Sequence, residues 1–165
     1  MTSSVSHAIM TVGRVGMVRR APGTVASGVV LLPVVLWHAF LPHFGSFLAL
    51  TVLVTIAGYL AIRLGDPGWI NQDPPAIVID EAAGQLIAFL PLSWARSGGT
   101  LSIAWLLLFS LVAFGLFRVL DISKPAPIGW ADRLKGSLGI MLDDILAGTG
   151  AAVVLLIILG LLGWE

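Results

Sequence analysis

The chain alternates between long apolar runs and short polar connections. Four runs are apolar nearly throughout: Val25 to Leu41, Phe47 to Leu64, Leu101 to Leu120 and Ile145 to Trp164. A bilayer-spanning helix needs about 20 mostly apolar residues, so each is apolar enough to span. A fifth run, Ala76 to Leu92, is weaker: it is a little short and holds Asp80, Glu81 and Gln85 near its start. It reads as a helix that begins at the membrane surface and dips in or crosses. The pattern predicts an all-α fold, a polytopic integral membrane helical bundle with four strong spans plus one weaker helix and carboxylates at the cytoplasmic helix ends. Five spans nearly exhaust 165 residues, so a single membrane-embedded domain over 1–165 is expected. Met1 to Arg20 does not read as a secretory signal, because His7, Arg14, Arg19 and Arg20 interrupt it and no long apolar core precedes a cleavage site.

Composition sharpens this picture. Hydrophobic residues make up 58% and charged residues 11%, with a mean hydropathy of +1.00. A soluble domain carries roughly a quarter charged residues. So little polar surface excludes a soluble enzyme, a disordered tail and a nucleic-acid binder that needs a basic face. With no cysteine, a thiol nucleophile and a Cys-ligated zinc site are excluded as well.

Charge placement orients the chain. With a cytoplasmic N-terminus and a crossing fifth segment, Arg14, Arg19, Arg20, Arg63, Arg118, Lys124, Arg133 and Lys135 lie inside and only Arg96 outside, as the positive-inside rule requires. The acids sort the same way: Asp66, Asp73, Asp80, Glu81, Asp121, Asp132, Asp143 and Asp144 inside, Glu165 outside. A re-entrant fifth segment would flip the later spans and split the cations between the two faces, so five crossings fit better.

Three acidic groups stand where spans meet the cytoplasm. Asp80-Glu81 opens the fifth segment, Asp121 closes the third span, and Asp143-Asp144 opens the fourth. Ionisable groups at a membrane boundary are costly and point to function. Converging carboxylates repel unless a cation sits among them, and hard oxygen donors of this kind suit Mg²⁺. Glu81 shares a helical face with Gly84 and Ala88, and Asp144 with Gly148 and Ala151. Small residues allow close helix contact, so both carboxylate faces are expected to look inward, with only one member of each pair facing the centre. Each acidic pair taken alone also reads as a helix N-terminal cap, and Asp121 beside Lys124 as a surface ion pair. His38 and His43 fall at the far end of the first span and read as interface residues.

The strings DPPAIVIDEAAGQLIAF (73–89), FRVLDISKPAPIGWADR (117–133) and GIMLDDILAG (139–148), with APGTVASG (21–28), resemble the phosphatidylglycerophosphatase A family in order and spacing. The chain departs from that pattern at Ala26, where glycine often follows Gly-Thr-x, and at Gln85, where methionine is frequent. The resemblance implies a Mg²⁺-dependent phosphatase of the bacterial inner membrane. Its phospholipid substrate would be phosphatidylglycerophosphate, converted to phosphatidylglycerol, with the active site facing the cytoplasm. It implies catalytic roles for Asp80, Glu81, Arg118, Asp121, Lys124, Asp143 and Asp144. In this reading the five carboxylates hold one or two Mg²⁺ ions, while Arg118 and Lys124 clamp the phosphate. Which carboxylate acts as base or nucleophile stays open. Phosphohistidine chemistry is disfavoured because no histidine follows His43, and Asp121-Ile-Ser-Lys lacks the Asp-x-Asp loop of haloacid-dehalogenase-like enzymes. A CDP-alcohol phosphotransferase is disfavoured by the absence of its Asp-Gly-x-x-Ala-Arg motif. An ion- or proton-coupled membrane carrier using the acidic cluster is the alternative from another class, although carriers place such groups near the bilayer midplane.

Overall fold

The structure, a computed structural model, describes residues 4–65, 74–99 and 101–163. In chain order it forms α1 (Ser4–Met10), a 3₁₀ turn (Val15–Met17), α2 (Pro22–Phe40), α3 (Phe44–Arg63), α4 (Ile79–Ala88), α5 (Leu90–Ser97), α6 (Ile103–Ser123), α7 (Ile128–Ala131) and α8 (Gly136–Leu161). No strand occurs among the described residues. The fold is all-helical, as the apolar pattern predicts. α2, α3, α6 and α8 are each long and apolar enough to cross a membrane. Leu32, Leu53, Leu111 and Ile157 on these helices are each more than half exposed. So much outward apolar surface is unfavourable in water and is what a bilayer accommodates.

The weaker segment occupies the middle of the bundle. α4 packs against α2, α3, α6 and α8, and Ala82, Ala83, Gly84, Gln85 and Ala88 on it are buried. Small side chains let four neighbours approach one helix. The helix breaks at Phe89, and Pro91 lies in the first turn of α5, a position that needs no backbone donor. Together α4 and α5 run antiparallel to α3 from one end of the bundle to the other. Ile79 meets Gly58 of α3 at one end, and Trp94 stacks edge-on against Phe44 at the other, ring centroids 5.3 Å apart. The segment expected over 76–92 is therefore two helices that traverse the bundle and continue to Ser97.

Helix boundaries correct one expectation. Asp143 and Asp144 do not open the last long helix, because α8 begins at Gly136, about two turns earlier. Both carboxylates are buried and turned into the protein, so the helix has no need to start at them. Asp121 lies in the last turn of α6, as expected. Asp66, Asp73, Trp164 and Glu165, which the charge pattern and the fourth span included, fall outside the described residues.

α1 and the 3₁₀ turn close one end. The Val78 amide donates to the Met10 carbonyl at 2.9 Å, and Gly16 packs on the Ala76 carbonyl. The N-terminal segment thereby holds the turn at 74–78 that leads into α4.

Candidate active site

The site starts with a helix crossing. A Cβ added to Gly84 would lie 2.6 Å from the Asp144 carbonyl oxygen, and one added to Gly148 would collide with the Gly84 carbonyl. Backbone therefore touches backbone where α4 and α8 cross. Glu81 and Asp80 lie one turn before Gly84, and Asp144 one turn before Gly148, so the crossing sets these carboxylates opposite one another. One oxygen from each of Asp80, Glu81 and Asp144 lies within 4.8 Å of the other two. Both Asp80 and Glu81 face this cluster, against the expectation that only one of them would. The reason is Gly23 in the first turn of α2: a Cβ there would collide with the Glu81 carboxylate, so the side chain lies along bare backbone. The positive end of the α2 dipole favours that negative group.

Asp144 is only 3% exposed, and Asp80 Oδ1, Glu81 Oε2 and Asp144 Oδ1 are buried without a hydrogen-bond partner. Three converging carboxylates with unpartnered oxygens make an unfavourable arrangement on their own. They form an all-oxygen donor set of the kind that takes a hard divalent cation, so the residues present fit the expected metal.

The other two acids named from the sequence face cations. Asp121 Oδ2 lies 2.6 Å from Arg118 Nη1, one helical turn away, and its carboxylate also borders Asp144. Arg118 Nη2 donates to Thr24 Oγ1 at 3.2 Å, and its buried Nε has no partner. Asp143 Oδ2 accepts from Lys124 Nζ at 3.0 Å, and Lys124 also pairs with Asp132. Asp121 and Lys124 therefore do not form a pair with each other. Lys124 ends α6 in the left-handed conformation, with φ 44°, which swings its side chain toward α8. Partial burial works against its charge, yet hydrogen bonds to Asp132 and Asp143 outweigh that cost and raise the ammonium pKa above its ordinary value.

Asp80, Glu81, Arg118, Asp121, Lys124, Asp143 and Asp144 all line one pocket of about 530 Å³, together with Gly23, Thr24 and Asp132. Sequence reasoning assigned no role to these last three. Gly23 and Thr24 belong to the segment 21–28, whose Gly-Thr pair was the available signal. Asp132 carried only the signal of a charge beside a Pro-rich turn. His38 is a core residue rather than an interface one. It is fully buried, donates from Nδ1 to the Val34 carbonyl at 2.7 Å, and tilts against Phe47 at 4.5 Å.

Fold and pocket together define a polytopic membrane enzyme with its polar chemistry gathered at one end of an apolar helix bundle. The chain belongs to the phosphatidylglycerophosphatase A family, whose model matches residues 8–159, and it is accordingly a phosphatase. It is 33% identical over 142 residues to phosphatidylglycerophosphatase A of Escherichia coli K12, covering 81% of this chain and 72% of that protein. Identity to phosphatidylglycerophosphatase A of Haemophilus influenzae is 34% over 142 residues, covering 84% and 79%. A Bacteroides thetaiotaomicron protein named "Putative phosphatidylinositol-3-phosphatase" is 36% identical over 138 residues, covering 78% and 77%. No solved structure matches the chain.

Proposed function

We propose that this protein removes the terminal phosphomonoester of phosphatidylglycerophosphate, giving phosphatidylglycerol and phosphate. The reaction would depend on Mg²⁺, take place at the cytoplasmic face of a bacterial inner membrane, and serve phospholipid biosynthesis. Residues 1–165 are read as one catalytic domain. The observation that carries this reading is the joining of the Asp80, Glu81 and Asp144 triad with Arg118 and Lys124 in one pocket at a bundle end. The names of the E. coli and H. influenzae relatives support the substrate.

In this reading Asp80, Glu81 and Asp144 hold the cation, with Asp121 and Asp143 beside them. A bound divalent cation supplies positive charge and Lewis acidity toward the phosphate oxygens. Arg118 presents its planar fork to the phosphate, oriented by Asp121 on one side and Thr24 on the other. Lys124 adds a second positive charge, positioned by Asp143 and Asp132. As water bonds to phosphorus and the bond to the lipid alcohol breaks, the water's proton would pass to a pocket carboxylate, Asp121 or Asp143, which would return it to the departing alkoxide. Monoester hydrolysis is among the slowest uncatalysed reactions, so positioning and charge neutralisation carry most of the catalysis. The lipid tails stay among the spans, and only the headgroup enters the pocket.

The B. thetaiotaomicron relative's name points to a related lipid, phosphatidylinositol 3-phosphate, which also carries a headgroup monoester beyond a phosphodiester. Phosphate release by the detergent-purified protein separates the two readings. Release from phosphatidylglycerophosphate in preference to phosphatidylinositol 3-phosphate and soluble glycerol phosphate is expected. Preference for the inositol lipid would transfer the activity to that substrate, and release from neither lipid by folded protein would refute lipid phosphatase activity.

A further inference from the structure

The pocket and its mouth have opposite charge. Inside, Asp80, Glu81, Asp121, Asp132, Asp143 and Asp144 face Arg118 and Lys124, the only cations among the described lining residues. Two basic segments border the opening. The first is Arg14 to Arg20, whose arginines are all exposed; it leads directly into Ala21 and Pro22 of the pocket wall. Gly16 packs on the Ala76 carbonyl, which places this segment beside the pocket-lining residues Pro74, Pro75 and Ile77. The second is Arg133 and Lys135, exposed on either side of the lining residue Leu134. None of these five cations makes a salt bridge among the described residues, whereas Arg118 and Lys124 both do.

Exposed apolar side chains lie between or beside these cations. Met17 is 59% exposed, Val18 44% and Trp130 53%. Cations beside bulky apolar groups at the end of a membrane bundle match a headgroup layer, in which phosphates lie just above the acyl region. We propose that the Arg14–Arg20 and Arg133–Lys135 segments bind the phosphates of surrounding anionic phospholipids. The rim thereby gathers anionic lipid at the mouth of a pocket whose acidic floor would otherwise repel it. The occupant is the bilayer's own anionic lipid rather than a soluble anion, because exposed Met17 and Val18 within the first segment and Trp130 just before the second suit a membrane partner. The lipid-binding claim needs only membrane embedding. Its kinetic consequence also rests on the phosphatase reading.

The test uses the full chain reconstituted in phosphatidylcholine vesicles containing spin-labelled phosphatidylglycerol or spin-labelled phosphatidylcholine. The electron paramagnetic resonance signal of immobilised lipid gives the relative association of the two. The wild type is expected to prefer phosphatidylglycerol about fivefold at low ionic strength, a preference that salt screens. The variant R19Q/R20Q/R133Q/K135Q is expected to lose it. The paired variants R19Q/R20Q and R133Q/K135Q, each less disruptive to folding, are expected to retain an intermediate preference. Equal association in the wild type, or undiminished preference in both paired variants, would overturn the proposal. In the kinetic arm, the paired variants are expected to raise KM for the lipid severalfold in neutral vesicles while kcat holds. An unchanged KM in active enzyme would overturn the gathering role. Lipid preference without phosphate release would count against the phosphatase reading and leave the rim assignment standing.

Discussion

At the end of the bundle far from the pocket, Phe47, Phe89, Leu92, Leu106 and Leu155 interlock with no exposed surface. His38 in that region is hydrogen-bonded to its own helix through Nδ1, and its buried Nε2 has no partner. At the pocket end, contact is made by Gly84 and Gly148, whose missing side chains let two backbones meet. The adjoining space holds carboxylates with unpartnered oxygens. The far end gains stability from buried area and close fit. The pocket end accepts like-charge repulsion and desolvation, costs that the divalent cation of the proposed function would offset. Fold stability and chemistry are thus separated along the bundle axis. Groups held at such a cost belong where function needs them.

Substitutions at each end measure that separation. Asp144→Asn is expected to lower kcat/KM on the order of 10³-fold. Its melting temperature should equal or exceed that of the metal-free wild type, since one of three converging charges is gone; a large drop in stability would break the comparison. Leu155→Ala at the far end should do the reverse. A loss of about 2–5 kcal/mol of stability is expected from the cavity, with kcat/KM per folded molecule nearly unchanged, read by denaturant titration and phosphate release on the same sample. Gly148→Ala couples the two properties, because a methyl at the crossing forces α8 away from α4. Activity is expected to fall about 10²-fold through misplacement of Asp144, with a stability loss of about 1–3 kcal/mol; activity unchanged from wild type would show that the close crossing does not set the triad. The smallest effect concerns Gln85, fully buried with neither amide atom partnered. Gln85→Met should raise stability by about 1–3 kcal/mol and leave kcat/KM unchanged, and a lowered melting temperature would contradict that.

Much of this was legible in the chain because membrane helices announce themselves by long apolar runs, and charges within them stand out. The seven residues named from the sequence all reach one pocket, and the Gly84 and Gly148 faces meet as their spacing predicts. Three features escaped for identifiable reasons. The start of α8 was misplaced because an Asp-Asp pair resembles a helix cap, while the actual start at Gly136 lacks an acidic or hydroxyl cap. Arg118 and Thr24 are 94 residues apart, a pairing that helical periodicity does not encode. Asp132 sits in the short turn after α7, where only the folded course of the loop brings it to Lys124. Local pattern places a residue on a helix face, whereas loop geometry and long-range partners come from packing.

The central claim is that the carboxylates at the α4–α8 crossing hold a divalent cation needed for lipid phosphomonoester hydrolysis. Its most direct test is phosphate release from phosphatidylglycerophosphate by EDTA-stripped protein as Mg²⁺ is returned. Release is expected to be negligible in EDTA and to recover saturably with Mg²⁺. Full activity in EDTA, from protein shown to be free of divalent metal, would contradict the account.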